Sequence, residues 1–274
     1  MKLLRQATAI TFFFAIGPLS FAKPIEVFFG TGGRGAEGIY HATFNPDNGK
    51  FTSAKLAAKI GSPGFLAHHP NGKILYSLGR WDGKAGTVGY QRSAGGELKE
   101  FTRMACPDGG GAHIAVHPSG KFLLTAQYGG GSTAFFPLDA KGNLGEPTIH
   151  EHKGGSKVVQ RRQDSPHPHW CGFSPDGKFA LVPDLGLDQI VIYKVNADKT
   201  GMTPHALGQS IPGGGPRHMR FSIDGKFIYL LNELSRRYVF LFELITGKRF
   251  RFFSTSDDHL TKTLRKAHEA GQLC

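Results

Sequence analysis

The chain has 274 residues, 38 of them glycine, and a formal charge of +12 at pH 7. Its length suits one large β domain, and its three cysteines are too few for a disulfide framework. Nucleic-acid binding usually needs a clustered basic patch. The lysines and arginines are spread along this chain, so the charge argues against nucleic acid and favours anionic small molecules or surfaces as partners.

Residues 1–22 have the pattern of a secretory signal. Lys2 and Arg5 precede an apolar stretch, Ala7 to Ile16, that is too short to cross a bilayer as a mature helix. Ser20-Phe21-Ala22 places small residues where a signal peptidase cuts. We therefore expect a periplasmic or secreted protein, cleaved near Ala22 and free of the membrane afterwards. An uncleaved anchor or a mis-assigned start is the alternative.

A short turn phrase occurs four times between residues 69 and 226. Its copies are His69-Pro70-Asn71-Gly72-Lys73, His117-Pro118-Ser119-Gly120-Lys121, Ser174-Pro175-Asp176-Gly177-Lys178 and Ser222-Ile223-Asp224-Gly225-Lys226. Proline presets a turn dihedral, Asn, Ser or Asp hydrogen-bonds locally, and glycine adopts positive φ without steric cost. A run of apolar residues follows each copy, which predicts a buried β-strand after every turn.

The glycines of this phrase are separated by 48, 57 and 48 residues. A second series of turn glycines, at positions 49, 96, 142, 201 and 247, has steps of 47, 46, 59 and 46. Two independent series of turns that repeat with nearly the same period are typical of a β-propeller. We predict an all-β propeller domain over residues 23–247, incomplete, with about five blade units.

The long step contains an extra polar segment, Glu151 to Pro166. It carries four cationic residues, Lys153, Lys157, Arg161 and Arg162. We interpret it as a loop over one face of the propeller, and favour a solvated surface excursion over a dedicated anion site.

After Gly247 the turn phrase does not return, and residues 248–274 form an aberrant basic tail. A frameshift, a premature stop or a genuine short variant would explain such an ending. We interpret the chain as truncated relative to a complete propeller.

Polar side chains precede the repeated turns at matching positions. His169 and Arg217 each lie eight residues before their turn glycine, and His113 and His218 lie seven before theirs. The first strand of each propeller blade lines the central channel, so these groups are expected to converge there. His167 stands beside them in the phrase Pro166-His167-Pro168-His169.

Two carboxylates follow apolar strands. Asp184 lies seven residues after Gly177, and Glu233 eight after Gly225. A carboxylate there is costly unless it is hydrogen-bonded or paired. Asp184 and Asp188 are more simply caps for the turn around Gly186. Glu233 suggests a partner for Arg217, although a buried pair that only fixes the blade is the alternative.

The histidines also raise the question of a metal. His113, His167, His169 and His218 could offer imidazoles to Zn²⁺, but an His-x-His spacing alone is a weak signal. We predict no metal and no cofactor.

For Cys106 and Cys171 we favour buried free thiols over a disulfide, and Trp170 and Phe173 beside Cys171 argue against a nucleophile. The state of Cys274 stays open.

Three stretches resemble the lactonase family of seven-bladed propellers, which includes bacterial 6-phosphogluconolactonases and fungal carboxy-muconate cyclases. They run from Gly111-Ala112-His113 to Phe136, from Pro168-His169 to Asp188, and from Gly215-Pro216-Arg217-His218 to Leu234. The N-terminal Phe29-Gly30-Thr31 also fits the family's first blade, so the resemblance covers roughly residues 25–245.

The resemblance implies catalytic roles for His169, Arg217 and Glu233, which match the active site proposed for the cyclase branch. That site has another arginine from a later blade, which this chain does not reach. The implied activity is 6-phosphogluconolactonase-like hydrolysis of a sugar lactone. From their positions in the repeat we expect His113, His167, His218 and Asp184 to bind a small lactone or anionic sugar. Cyclase-like lactone chemistry, a non-catalytic binding propeller and an inactive truncated member are the alternatives.

Overall fold

The computed structural model describes residues 22–33, 35–196, 201–235, 238–242 and 253–254. Nearly all of the expected signal segment lies outside these residues, as does the tail 248–274 apart from one short strand, and Cys274 with it. Within the described part of the chain, no helix has the length and apolar character needed to cross a bilayer.

In the described ranges, twenty β-strands form five separate four-stranded sheets, which we number as blades 1 to 5 in chain order. Blade 1 contains β1 (Ile25–Gly30), β2 (Gly38–Asn45), β3 (Lys50–Phe51) and β4 (Lys55–Lys59). Blade 2 contains β5 (Leu66–His68), β6 (Ile74–Trp81), β7 (Lys84–Arg92) and β8 (Leu98–Ala105). Blade 3 contains β9 (His113–Val116), β10 (Phe122–Gln127), β11 (Ser132–Pro137) and β12 (Thr148–Glu151).

Blade 4 contains β13 (Gly172–Phe173), β14 (Phe179–Asp184), β15 (Gln189–Asn196) and β16 (Gly201–Gln209). Blade 5 contains β17 (Pro216–Phe221), β18 (Phe227–Asn232), β19 (Tyr238–Phe242) and β20 (Phe253–Ser254). Blades 2 to 5 are antiparallel meanders, and in blade 1 both β3 and β4 pair with β2. The prediction of an all-β protein with about five blade units is confirmed.

The repeated phrase forms the turn between the first and second strands of blades 2 to 5. Its four glycines share one left-handed conformation, with φ between 69° and 71°. In blade 2, Oδ1 of Asn71 accepts a hydrogen bond from the amide of Lys73 at 2.9 Å, which is the local bond that such turn residues favour.

The histidines of the first two phrases also join neighbouring blades. Nε2 of His69 lies 3.0 Å from the carbonyl oxygen of Gly120, and Nε2 of His117 lies 2.8 Å from that of Gly177. The other ring nitrogen of His117 accepts from the amide of Ser119 at 3.0 Å, so Nε2 carries the hydrogen that is donated to the glycine. We call these two contacts, His69 with Gly120 and His117 with Gly177, latches. Each latch joins the turn of one blade to the turn of the next.

The described residues form four apolar core layers, one between each pair of consecutive blades. Leu123 and Phe136 of blade 3 pack on Tyr76 of blade 2, while Phe122 and Phe135 pack towards blade 4. Blade 3 thus buries both of its faces, and every residue of β10 is buried.

Cys106 and Cys171 are buried free thiols, as expected, and burial raises the pKa of Cys106 to about 11.

Antiparallel pairing determines where the polar residues meet. The start of a blade's first strand lies beside the end of its second strand, as in the pairs His113 with Ala126 and Pro216 with Asn232. First strands of neighbouring blades are in contact, β5 with β9 and β9 with β13. Residues at these strand ends in blades 3, 4 and 5 therefore share one end of the central channel.

Candidate active site

The three residues expected to be catalytic meet at this end of the channel. Nε of Arg217 donates a hydrogen bond to Oε2 of Glu233 at 2.9 Å. Nε2 of His169 lies 3.7 Å from the same oxygen. The side chains of His169, Glu233 and Arg217 are 15%, 29% and 39% exposed, so the group is reachable from solvent and is not a buried pair that only fixes the blade.

A β-bulge positions Arg217. Pro216 pairs with Asn232 and His218 with Leu231, which leaves Arg217 as an extra residue without a partner in the ladder. A bulge re-aims the side chain that it carries. On the other strand, the amide of Glu233 donates to the carbonyl of Gly215 at 2.8 Å, so the backbones on either side of the ion pair are joined.

A second arginine reaches the same carboxylate. Nη2 of Arg162 donates to Oε1 of Glu233, so that each carboxylate oxygen receives one guanidinium. The Tyr128 hydroxyl also interacts with Arg162. Arg162 belongs to the segment Glu151–Pro166, and the interpretation of that segment as a mere solvated excursion is wrong. Its residue Gln163 is completely buried, and Arg162 brings a cation to the site.

Aromatic and imidazole rings form the wall beside these charges. Tyr128 stacks on His167 with ring centroids 4.7 Å apart and meets His169 edge-on at 5.3 Å. His169 lies 5.5 Å from His218. Nδ1 of His167 bonds to the carbonyl of Tyr128 at 3.0 Å, so His167 orients Tyr128 as well as flanking the site.

His113 backs this wall rather than lining it. The residue is 8% exposed, its Nδ1 faces the amide of Cys171 at 3.4 Å, and its ring lies 5.8 Å from His218. Burial, reinforced by the neighbouring His218, lowers the pKa of His113 to about 3. Burial and the nearby Arg217 lower the pKa of His218 to about 4. Both imidazoles are therefore neutral at pH 7.

Asp184 is not available to a substrate, which corrects its assignment as a binding residue. It is completely buried, and its Oδ1 accepts from the amides of His167, Gly186 and Leu187 at 2.8 to 3.1 Å. Its Oδ2 lies 2.7 Å from Nδ1 of the buried His152. The interpretation as a cap for the turn around Gly186 is confirmed for Asp184 and is wrong for Asp188, whose carboxylate accepts from Gln163, Gly213 and Gly215.

The charges of the site assign a protonation state to each group. Burial is the largest effect on His169 and lowers its pKa. A backbone hydrogen bond and Glu233 oppose this, the Arg217 and Arg162 cations reinforce it, and the net pKa lies below its usual value. For Glu233, burial raises the pKa, but the hydrogen bonds from Arg162 and Arg217 outweigh it and the net pKa is below its usual value. At pH 7 the site therefore holds a neutral imidazole, an anionic carboxylate and two cations.

At the site, the residues that the structure describes are not arranged as a metal centre. Among the described residues, no group of three or more His, Cys, Asp or Glu side chains is placed to hold a metal ion.

A groove of about 550 Å³ lies away from the site, on blades 3 and 4, and is lined by His150, His152 and Tyr193 among others. None of His169, Arg217 and Glu233 lines this groove.

Comparison with known proteins places these features in a family. Residues 26–271 match the family described as "Lactonase, 7-bladed beta-propeller". The 6-phosphogluconolactonase of Bacillus subtilis (strain 168) is 34% identical over 219 residues, which are 79% of this chain and 62% of that protein. The 6-phosphogluconolactonase of Formosa agariphila is 33% identical over 77% of this chain and 61% of its own length. The chain thus spans about three-fifths of the length of these relatives.

Solved structures agree with this placement. The periplasmic gluconolactonase of Pseudomonas aeruginosa superposes with a TM-score of 0.74 and 27% identity, over 86% of this chain and 68% of that one. A putative 6-phosphogluconolactonase from Bacteroides fragilis gives a TM-score of 0.76 and 28% identity, over 85% and 67%. The chain belongs to the lactonase family of seven-bladed β-propellers.

Proposed function

We propose that the cluster of His169, Arg217, Glu233 and Arg162 hydrolyses a sugar lactone in the manner of a 6-phosphogluconolactonase. One observation supports this proposal most strongly. An imidazole, a carboxylate and two guanidinium groups from three separate segments converge at one solvent-accessible site. The names of the relatives from Bacillus subtilis and Formosa agariphila point to the same chemistry.

The protonation states of His169 and Glu233 favour His169 as the general base. A neutral imidazole can accept a proton, whereas the Glu233 carboxylate is stabilised in its anionic form by two guanidinium groups and is a weak base. His169 therefore takes the proton from water while the water oxygen bonds to the lactone carbonyl carbon. Glu233 orients the two arginines and, 3.7 Å from His169, stabilises the imidazolium that forms.

The arginines stabilise the charge that the reaction creates. As water adds, negative charge develops on the carbonyl oxygen, and a guanidinium hydrogen bond to this oxygen stabilises the intermediate. The carbonyl then re-forms, the ring C–O bond breaks, and the departing alkoxide takes the proton from His169. The product is the open-chain hydroxy acid. Two cations against one carboxylate also favour a substrate that carries an anionic group.

The activity test compares wild-type protein with H169N and H205N against a panel of neutral, phosphorylated and carboxylated sugar lactones. His205 is exposed and lies on β16, far along blade 4 from the site, so H205N is the matched control. We expect H169N to lower kcat/KM by about 10² or more and H205N to leave it unchanged. Equal hydrolysis by all three proteins would remove His169 from the mechanism.

We also propose that the protein acts outside the cytosol. The pattern of residues 1–22 supports export, and a structural relative from Pseudomonas aeruginosa is titled periplasmic. Cell fractionation followed by mass measurement of the N-terminus tests this: mature protein beginning near Lys23 in the periplasm or medium is expected. Protein that retains residues 1–22 in the cytosol contradicts it.

A further inference from the structure

A buried amide and a buried carboxylate join two loops beneath the site. Nε2 of Gln163 donates to Oδ1 of Asp188 at 2.6 Å and to the carbonyl of Leu185 at 2.9 Å. Oε1 of Gln163 accepts from the amide of Val159 at 3.0 Å. Gln163 is completely buried and Asp188 is 4% exposed, so neither side chain faces a substrate.

Asp188 also holds the segment that leads into Arg217. Its Oδ2 accepts from the amide of Gly213 at 2.7 Å, and its Oδ1 accepts from that of Gly215 at 2.8 Å. Three donors in all satisfy this carboxylate, which offsets the cost of burying it. The Gly215 amide lies two residues before Arg217 in the chain.

The same segment holds the catalytic carboxylate. The carbonyl of Gly215 accepts from the amide of Glu233, and that of Gly214 accepts from the amide of Leu234. Gly215 has φ of +64°, and a Cβ there would lie 2.6 Å from the Leu234 side chain. This turn can therefore approach the end of β18 only without a side chain, and its position depends on Asp188.

One buried carboxylate is thus connected to three site residues. It reaches Arg162 through the adjacent Gln163, Arg217 through Gly215, and Glu233 through the carbonyl of Gly215. We propose that Asp188 and Gln163 are positioning residues of the active site, which hold Arg162 and Arg217 against Glu233. The proposal rests on the lactonase function proposed above, because catalysis is its readout.

Two substitutions separate positioning from bulk packing. Q163M keeps a side chain of similar size and removes the bonds to Asp188, Leu185 and Val159. D188N keeps the shape, and asparagine tolerates the left-handed φ of 56° at this position. The carboxamide of D188N, however, places an NH2 donor opposite one of the donors from which the Asp188 carboxylate accepts a hydrogen bond, so that this bond is lost. Exposed neighbours in the same loop give the matched controls D164N and R161A.

The experiment measures kcat, KM and the melting midpoint of each variant with the lactone that the wild type hydrolyses fastest. We expect Q163M and D188N to lower kcat/KM by about 10- to 100-fold and D164N and R161A to stay within about twofold of wild type. If Gln163 acts through Arg162, Q163M lowers kcat/KM less in an R162A background than in wild type. A merely structural role would instead give full additivity.

R162A leaves the buried pair unchanged, so it remains informative if a core variant fails to fold. We expect R162A to lose activity and to recover part of it when millimolar guanidinium is added, whereas R161A shows neither effect. Full activity of R162A, or of folded Q163M and D188N, overturns the positioning proposal. A wild-type protein without activity on any lactone overturns the proposed function instead, which keeps the two failures distinct.

Discussion

Arg217 and Glu233 are sixteen residues apart in the chain, yet their side chains share a 2.9 Å hydrogen bond across the paired strands β17 and β18. The bond depends on the bulge that frees Arg217 from the ladder, and on the Gly215 carbonyl that accepts from the amide of Glu233. A carboxylate held in this way between two guanidinium groups positions the cations and is itself a weak base.

Replacement of Glu233 tests that role. The amide in E233Q cannot accept one charge-assisted bond on each of two oxygens, so Arg162 and Arg217 lose their common anchor. We expect kcat/KM to fall by about 10- to 100-fold, with a melting midpoint close to that of wild type. E151Q, at an exposed glutamate of β12, serves as the control. Equal kcat/KM for E233Q and E151Q contradicts the role.

The pH profile reports on His169. Activity requires its neutral form, and burial lowers its pKa below the ordinary 6.5. We expect kcat/KM to decline at acid pH, with the midpoint of the decline below pH 6.5. In E233Q this decline moves to still lower pH, because the carboxylate that favours the imidazolium is gone. A decline with its midpoint at or above pH 6.5 contradicts His169 as the base.

His113 makes stability depend on pH. Its pKa is about 3 in the folded protein and 6.5 in the reference state, so below pH 6.5 the unfolded chain takes up a proton that the folded chain does not. The free energy of unfolding therefore falls as the pH falls, by about 1.4 kcal/mol per pH unit from this group between pH 6 and pH 4. Urea titrations of wild type and H113F measure it, and an equally steep pH dependence in H113F refutes the assignment.

The latch between blades 3 and 4 contributes to stability and not to chemistry. His117 follows β9 at the end opposite to His113, and its bond to Gly177 is buried. We expect H117A to lower the free energy of unfolding by about 1–3 kcal/mol and to leave kcat unchanged. K178A, at an exposed lysine of the neighbouring turn, is expected to change it by less than about 0.5 kcal/mol. Equal stability of the two variants would mean that the latch contributes nothing.

The blades could be predicted from the sequence because turn chemistry is local. Proline, a short polar residue and glycine specify the same turn wherever they recur, and the period of the turns then gives the number of sheets. Matching positions before those turns also identified His169 and Arg217, because equivalent positions in successive blades lie at the same end of the channel.

Arg162 and Asp188 could not be identified by that reasoning. Arg162 lies in the extra segment of the 57-residue step, which has no equivalent in the other units and therefore no register position. The bonds of Asp188 run to Gln163, Gly213 and Gly215, more than twenty residues away on either side, and no spacing rule connects them. The expectation that Asp184 binds substrate is wrong because a carboxylate at a strand end is equally satisfied by the amides of its own turn.

We expect the lactone carbonyl to bind between His169 and the two arginines. The most direct test is a crystal structure of the protein with a sugar lactam, in which nitrogen replaces the ring oxygen and hydrolysis is blocked. We expect the lactam carbonyl oxygen to lie within about 3 Å of a guanidinium nitrogen of Arg217 or Arg162, with the carbonyl carbon facing Nε2 of His169. A lactam bound away from all three residues would contradict it.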